Sequence, residues 1–109
     1  MMGPLPWKLT GAEVRISGEI VSVSVHDQTI RTKLQPKIAK QIWAELGVGP
    51  DVVGLEIVGP AAVVELAWDG LSVLIGATRF VRPLPRRYWD ILQTSEIEAR
   101  KGREAAHAA

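Results

Sequence analysis

A chain of 109 residues and 11.9 kDa has the length of one domain, and 47% hydrophobic with 23% charged residues is the make-up of a globular fold. Thirteen Lys and Arg against twelve Asp and Glu leave a formal charge of +1, which excludes a uniformly basic nucleic-acid-coating protein and leaves only local patches. Cysteine is absent, which excludes a disulfide framework, a thiolate nucleophile and a Cys-ligated metal.

The stretch Met1-Met2-Gly3-Pro4-Leu5-Pro6-Trp7-Lys8 has neither the charged start nor the apolar run of a signal peptide. The apolar runs fall far short of the roughly 20 residues that span a bilayer, so the expectation is a cytoplasmic protein with no membrane association. No internal repeat of useful length is visible. Two Pro-rich hinges, Pro4 to Pro6 and Pro83 to Pro85, suggest an N-terminal arm over 1–8, a β-rich body over 9–85 and a helix with a frayed tail over 86–109.

Residues 13–25 alternate, with Val14, Ile16 and Ile20 on one face and then Val21, Val23 and Val25 at the opposite parity. One strand spanning that slip needs a bulge, and Gly18 is its natural place. His26-Asp27-Gln28 reads as a turn, and Ile30, Thr32 and Leu34 continue as a strand with Arg31 and Lys33 on its other face. Pro36 suits the first position of a helix, Ile38, Ala39, Ile42, Trp43 and Leu46 recur at helical spacing, and Gly47 stops it. Val52 to Val58 reads as the next strand. Residues 62–68 and 71–77 read as a hairpin turning on Asp69-Gly70. Arg86 to Arg103 reads as a helix, with Glu96 and Arg100 a supporting pair four apart. The expected fold is mainly β with α: a five-stranded barrel-like domain in the order β-β-α-β-β-β, followed by a C-terminal helix. Trp43 and Trp68 belong in its core, and Trp7 pins the arm to this domain or to another chain.

Catalytic chemistry finds no foothold. His26 sits in a turn beside Asp27, and neighbours in a strand point to opposite faces. The serines have no elbow motif, carboxylates are scattered singly, and Gly47 to Gly54 has the wrong spacing for a phosphate loop. The expectation is a non-enzymatic module without metal, cofactor or small-molecule substrate.

Two basic clusters stand out. Arg31, Lys33, Lys37 and Lys40 occupy a stretch with no acidic residue between Gln28 and Ala44. Where a strand runs into a helix, such cations and free backbone N–H groups suit phosphates; the alternative is a solvated outer face. Arg79, Arg82, Arg86 and Arg87, followed by Tyr88 and Trp89, form a secondary patch suited to nucleic acid or to a protein partner. The aromatics of that patch equally serve to pack the terminal helix onto the body.

Ile30 to Val48, with Pro36 opening and Leu46-Gly47 closing the helix, then Val53 to Val58, resembles the AbrB-type swapped-hairpin family over about residues 30–66. The resemblance implies a dimeric DNA-binding regulator or antitoxin, with Arg31, Lys33, Lys37 and Lys40 as phosphate or base contacts. Gln35 before the proline, and Asp27-Gln28-Thr29 in place of an earlier glycine, depart from the family pattern. The leading expectation is a nucleic-acid-binding regulator acting as a homodimer. The alternative is a protein–protein module, such as an assembly subunit of a virion or another complex, or an antitoxin.

Overall fold

The structure, a computed structural model, describes the backbone of residues 5–108 and the side chains of residues 5–103. It is mainly β with two helices, built as two four-stranded antiparallel sheets. In chain order the strands are β1 (Trp7–Lys8), β2 (Glu13–Ser17), β3 (Ile20–Val25) and β4 (Gln28–Lys33). Helix α1 (Pro36–Leu46) follows, then β5 (Leu55–Ile57), β6 (Ala62–Ala67), β7 (Gly70–Ile75), β8 (Thr78–Arg82) and helix α2 (Arg86–Ala108). The expected five-stranded barrel is therefore corrected: the described residues form eight strands, and the edges β4, β5, β1 and β8 do not close on one another.

The expected bulge at Gly18 is a hairpin. Ser17 pairs with Ile20, so Gly18 and Glu19 form a two-residue loop, with Gly18 at φ +56°. The parity slip arises because the chain reverses. Val14 faces Val23 and Ile16 faces Val21 across the ladder, and all four are buried, whereas Ile20 turns outward. The turn expected over His26-Asp27-Gln28 is made by His26 and Asp27 alone, both at positive φ, while Gln28 already pairs with Val25 as the first residue of β4. Helix α1 also has the expected ends, Gly47 closing it in the left-handed region at φ +69°. The strand expected over 52–58 shortens to three residues, and the second hairpin turns on Trp68-Asp69, one residue earlier than expected. The arm expected over 1–8 is in part a strand: Trp7 and Lys8 pair with Leu66 and Glu65 of β6. Pro4 lies outside the described residues, as do the side chains of the Ala-rich end, through which α2 continues to Ala108.

A repeat invisible in the letters is plain in the fold. β3 and β7 begin at Ile20 and Gly70, and the helices at Pro36 and Arg86, fifty residues apart in both cases. At that spacing the buried positions coincide: Val14 with Val64, Ile16 with Leu66, Val21 with Leu71, Val23 with Val73, Val25 with Ile75, and Ile42 with Leu92. The chain is thus two β-β-β-β-α halves, and they exchange their first strands. β1 of the first half joins β6-β7-β8, while β5 of the second half joins β2-β3-β4. One core collects side chains from both sheets and both helices.

The helices are tied down in matching ways. Trp43 Nε1 donates to the Gly18 carbonyl at 2.9 Å and Trp89 Nε1 to the Ala67 carbonyl at 3.3 Å, so each helix holds the first hairpin of its own half. Carboxylates then reach the last hairpin of the opposite half. Glu45 on α1 accepts from the Ala77 N–H at 2.9 Å and the Thr78 hydroxyl at 3.3 Å. Glu96 on α2 accepts from His26 Nε2 at 2.9 Å.

Glu96 forms the expected pair with Arg100 but is fully buried, and further donors converge on it beneath α2. The Thr10 N–H donates to it at 3.0 Å and the Thr10 hydroxyl at 3.2 Å, while Arg100 Nε donates at 2.8 Å and Arg103 Nη2 lies 3.7 Å away. A carboxylate only accepts, so His26 must carry its proton on Nε2. Burial by itself raises the Glu96 carboxyl. The Thr10 amide, Arg100, His26 and the Thr10 hydroxyl outweigh that and lower it from 4.5 to about 2.

Candidate nucleic-acid interface

Arg31 and Lys33 occupy the outward face of β4, an edge strand. Residues of that strand alternate because Cβ atoms point to opposite faces, and Ile30, Thr32 and Leu34 turn inward. Lys37 and Lys40 lie on α1, whose buried stripe of Ala39 and Ile42 leaves them exposed. None of the four cations makes a hydrogen bond or ion pair within the described residues. At the start of α1, Gln35 makes no side-chain capping bond and the first turn has no acidic residue, so nothing neutralises the positive end of the helix.

The second cluster divides. Arg79 Nε donates to Ser72 Oγ at 2.7 Å across the β7–β8 ladder. Arg86 pairs with Asp90 at 3.2 Å and lies 5.7 Å from the centre of the Trp89 ring. Arg87 lies 4.8 Å from the centre of the Tyr88 ring and donates to its hydroxyl at 3.3 Å. Tyr88 and Trp89 are half-buried, and Trp89 packs against the core and so seats α2 on the body. Arg82 has no partner within the described residues.

The two clusters meet. A cavity of about 180 Å³ is walled by Thr29, Ile30 and Arg31 of β4 on one side, and by Arg82 to Pro85 with Tyr88 on the other. The spacing of fifty residues explains the meeting: β4 and β8 are equivalent edges of the two halves, and Lys37 and Arg87 are equivalent positions in the first turns of the two helices. The signal available in the sequence was that fixed offset, hidden because only the pattern of burial repeats.

A second concavity, of about 430 Å³, is lined by Trp68, Leu84, Arg86, Trp89 and Gln93. The placement of Trp68 in the core is corrected: at 82% exposure it sits at the tip of the second hairpin, beyond the last ladder pair Ala67–Gly70. Trp43, by contrast, packs against the core as expected.

Among the described residues no group of three or more His, Asp or Glu side chains could hold a metal ion, and no helix is long and apolar enough to cross a membrane. No protein-family model, curated protein or solved structure matches the chain, so the likeness to the AbrB-type family rests on the residues from Ile30 onward alone.

Proposed function

We propose that this protein is a non-enzymatic nucleic-acid-binding module whose contact surface is the corner between β4 and α1. The observation that carries this reading is that Arg31, Lys33, Lys37 and Lys40 are all exposed, and that among the described residues no carboxylate pairs with any of them. Cations left unpaired on a strand edge and an adjoining helix face are available to phosphate. The free amides at the start of α1 add to their pull. Arg82 and Arg87 of the second half extend the positive surface past the shared cavity. The likeness to the AbrB-type family supports the same residues. Of the four cationic positions only Lys37 has a cationic counterpart in the second half, Arg87, so the basic corner belongs to the first half.

Fluorescence anisotropy of labelled DNA tests the reading. If all four cations contact phosphate, affinity falls roughly a hundredfold between low and physiological salt, because each contact releases a counterion. Lys37→Glu combined with Lys40→Glu removes binding at physiological salt and flattens the salt dependence by about two contacts, while circular dichroism stays unchanged. Binding that ignores salt or tolerates the double variant overturns the reading.

One observation favours a second reading, an assembly module: the exposed indole of Trp68 beside Trp89 and Leu84. Tryptophan at the rim of an apolar concavity is a common anchor of protein interfaces. On that reading light scattering detects association of the pure protein that Trp68→Ala abolishes, with its melting temperature unchanged. A point substitution is the right probe, since residues 7–8 and α2 are parts of the folded body.

A further inference from the structure

We propose that the cavity between β4 and the start of α2 is a nucleotide-binding pocket, in which Arg31 and Arg82 hold a phosphate and Tyr88 receives the flat ring. The inference deepens the nucleic-acid reading and rests on it for the role of the pocket, though not for its chemistry.

Three features converge. The two arginines come from strands that are edges of different sheets, yet they line one concavity, and neither side chain has a partner within the described residues. No Asp or Glu lines that concavity, so an anion entering it meets two forked donors and no repelling charge. The rest of the wall is Thr29, Ile30, Pro83, Leu84, Pro85 and Tyr88, a mostly apolar surface with one aromatic ring. Arg87 bonds the Tyr88 hydroxyl and lies against its ring, which fixes the ring's orientation and adds a third positive charge nearby. Bases stack on such rings whatever their identity, because each has a π-face.

The volume sets a limit. About 180 Å³ has room for one base, with its phosphate at the exposed Arg31 and Arg82 on the rim, but not for a base pair. The ligand is therefore a single unpaired nucleotide, either free or as a unit of a strand. Prolines 83 and 85 lack an N–H, so the backbone here is barred from continuing the β8 ladder and bends around the pocket. β8 accordingly ends at Arg82, one residue short of its counterpart β4.

Isothermal titration of the full chain with adenosine monophosphate, adenosine and inorganic phosphate tests the proposal. Adenosine monophosphate is expected to bind roughly tenfold more tightly than either fragment, since phosphate and ring are held together. Arg31→Ala and Arg82→Ala each weaken it by roughly tenfold, the usual effect of losing one charge-assisted contact. Tyr88→Leu reduces it to the affinity of inorganic phosphate, whereas Tyr88→Phe, which keeps the ring but loses the bond from Arg87, stays tighter than inorganic phosphate. Binding no tighter than inorganic phosphate, or indifferent to Arg82→Ala, overturns the pocket.

A short thymidine oligonucleotide separates the two sources. A unit of a strand is indicated if the oligonucleotide binds more tightly than the monophosphate, with the gain lost in Lys37→Glu, Lys40→Glu. If the monophosphate binds and the oligonucleotide gains nothing, the pocket stands and the nucleic-acid reading falls. If oligonucleotide binding survives Arg82→Ala but not the double lysine variant, the pocket falls and the nucleic-acid reading stands.

Discussion

Glu96→Gln is expected to destabilise the protein by about 2–4 kcal/mol at neutral pH, and Glu96→Ala by more. The amide keeps one acceptor but loses the charge that holds Arg100 at 2.8 Å, and it cannot accept from every donor that converges there. The carboxylate ties α2 to Thr10 before β2 and to the β3–β4 turn, so its loss frees the helix from the first half of the body. The sign with pH follows from a carboxyl held at about 2 against an ordinary 4.5. Its contribution is complete above pH 4.5 and disappears as pH falls from there towards 2, by roughly 3 kcal/mol. Urea unfolding from pH 7 down to pH 2 checks both parts. The gap between wild type and Glu96→Gln narrows as pH falls below 4.5, and a gap that stays constant means that charge is not what stabilises the site.

Gly70→Ala is the second large effect, expected to cost about 3 kcal/mol or more. Gly70 has φ +137°, a conformation that disfavours any side chain. A methyl group there runs into the Arg82 carbonyl and lies 2.9 Å from Pro83 Cα, both of them backbone that cannot swing aside. The close approach lets the segment leaving β8 cross the start of β7 and turn into α2. Thermal unfolding measures the cost. Gly47→Ala is the comparison: it also has positive φ but open space around it, so it loses only the strain of the left-handed backbone, about 1 kcal/mol.

What could be read from the letters alone depended on how local its cause is. Helix α1 was legible because Pro36, the apolar spacing and Gly47 all act within eleven residues and one turn. The His26-Asp27 turn was legible for the same reason. The change of parity at Gly18 was seen but misassigned, since a bulge and a two-residue reversal leave the same mark in sequence, and the ladder pair Ser17–Ile20 decides between them. Trp68 was misplaced because size and hydrophobicity argue for burial, whereas its position beyond the last ladder pair exposes it. Glu96 was legible as a partner of Arg100, but its burial depends on Thr10 and His26, which are 86 and 70 residues away. The duplication was illegible: between residues 12–46 and 62–96 only Ala12, Val14, Ser22, Val23 and Leu34 keep the same letter fifty positions on. The exposed cations of β4 and α1 were readable from alternation and helical spacing. Their meeting with Arg82 was not, because it is set by how two sheets pack.

The exchange of first strands has a consequence for how this chain reaches its native state. β1 has no partner until β6 has been synthesised, and β2 keeps an open edge until β5 arrives from beyond α1. Neither half can finish its sheet from its own residues, so neither is a unit that folds first and waits for the other. The pairings that complete both sheets join distant parts of the chain, a topology that slows folding and concentrates it in one late, concerted step. The fold is two similar halves in tandem, yet the strand exchange leads us to expect a single cooperative transition between coil and native protein.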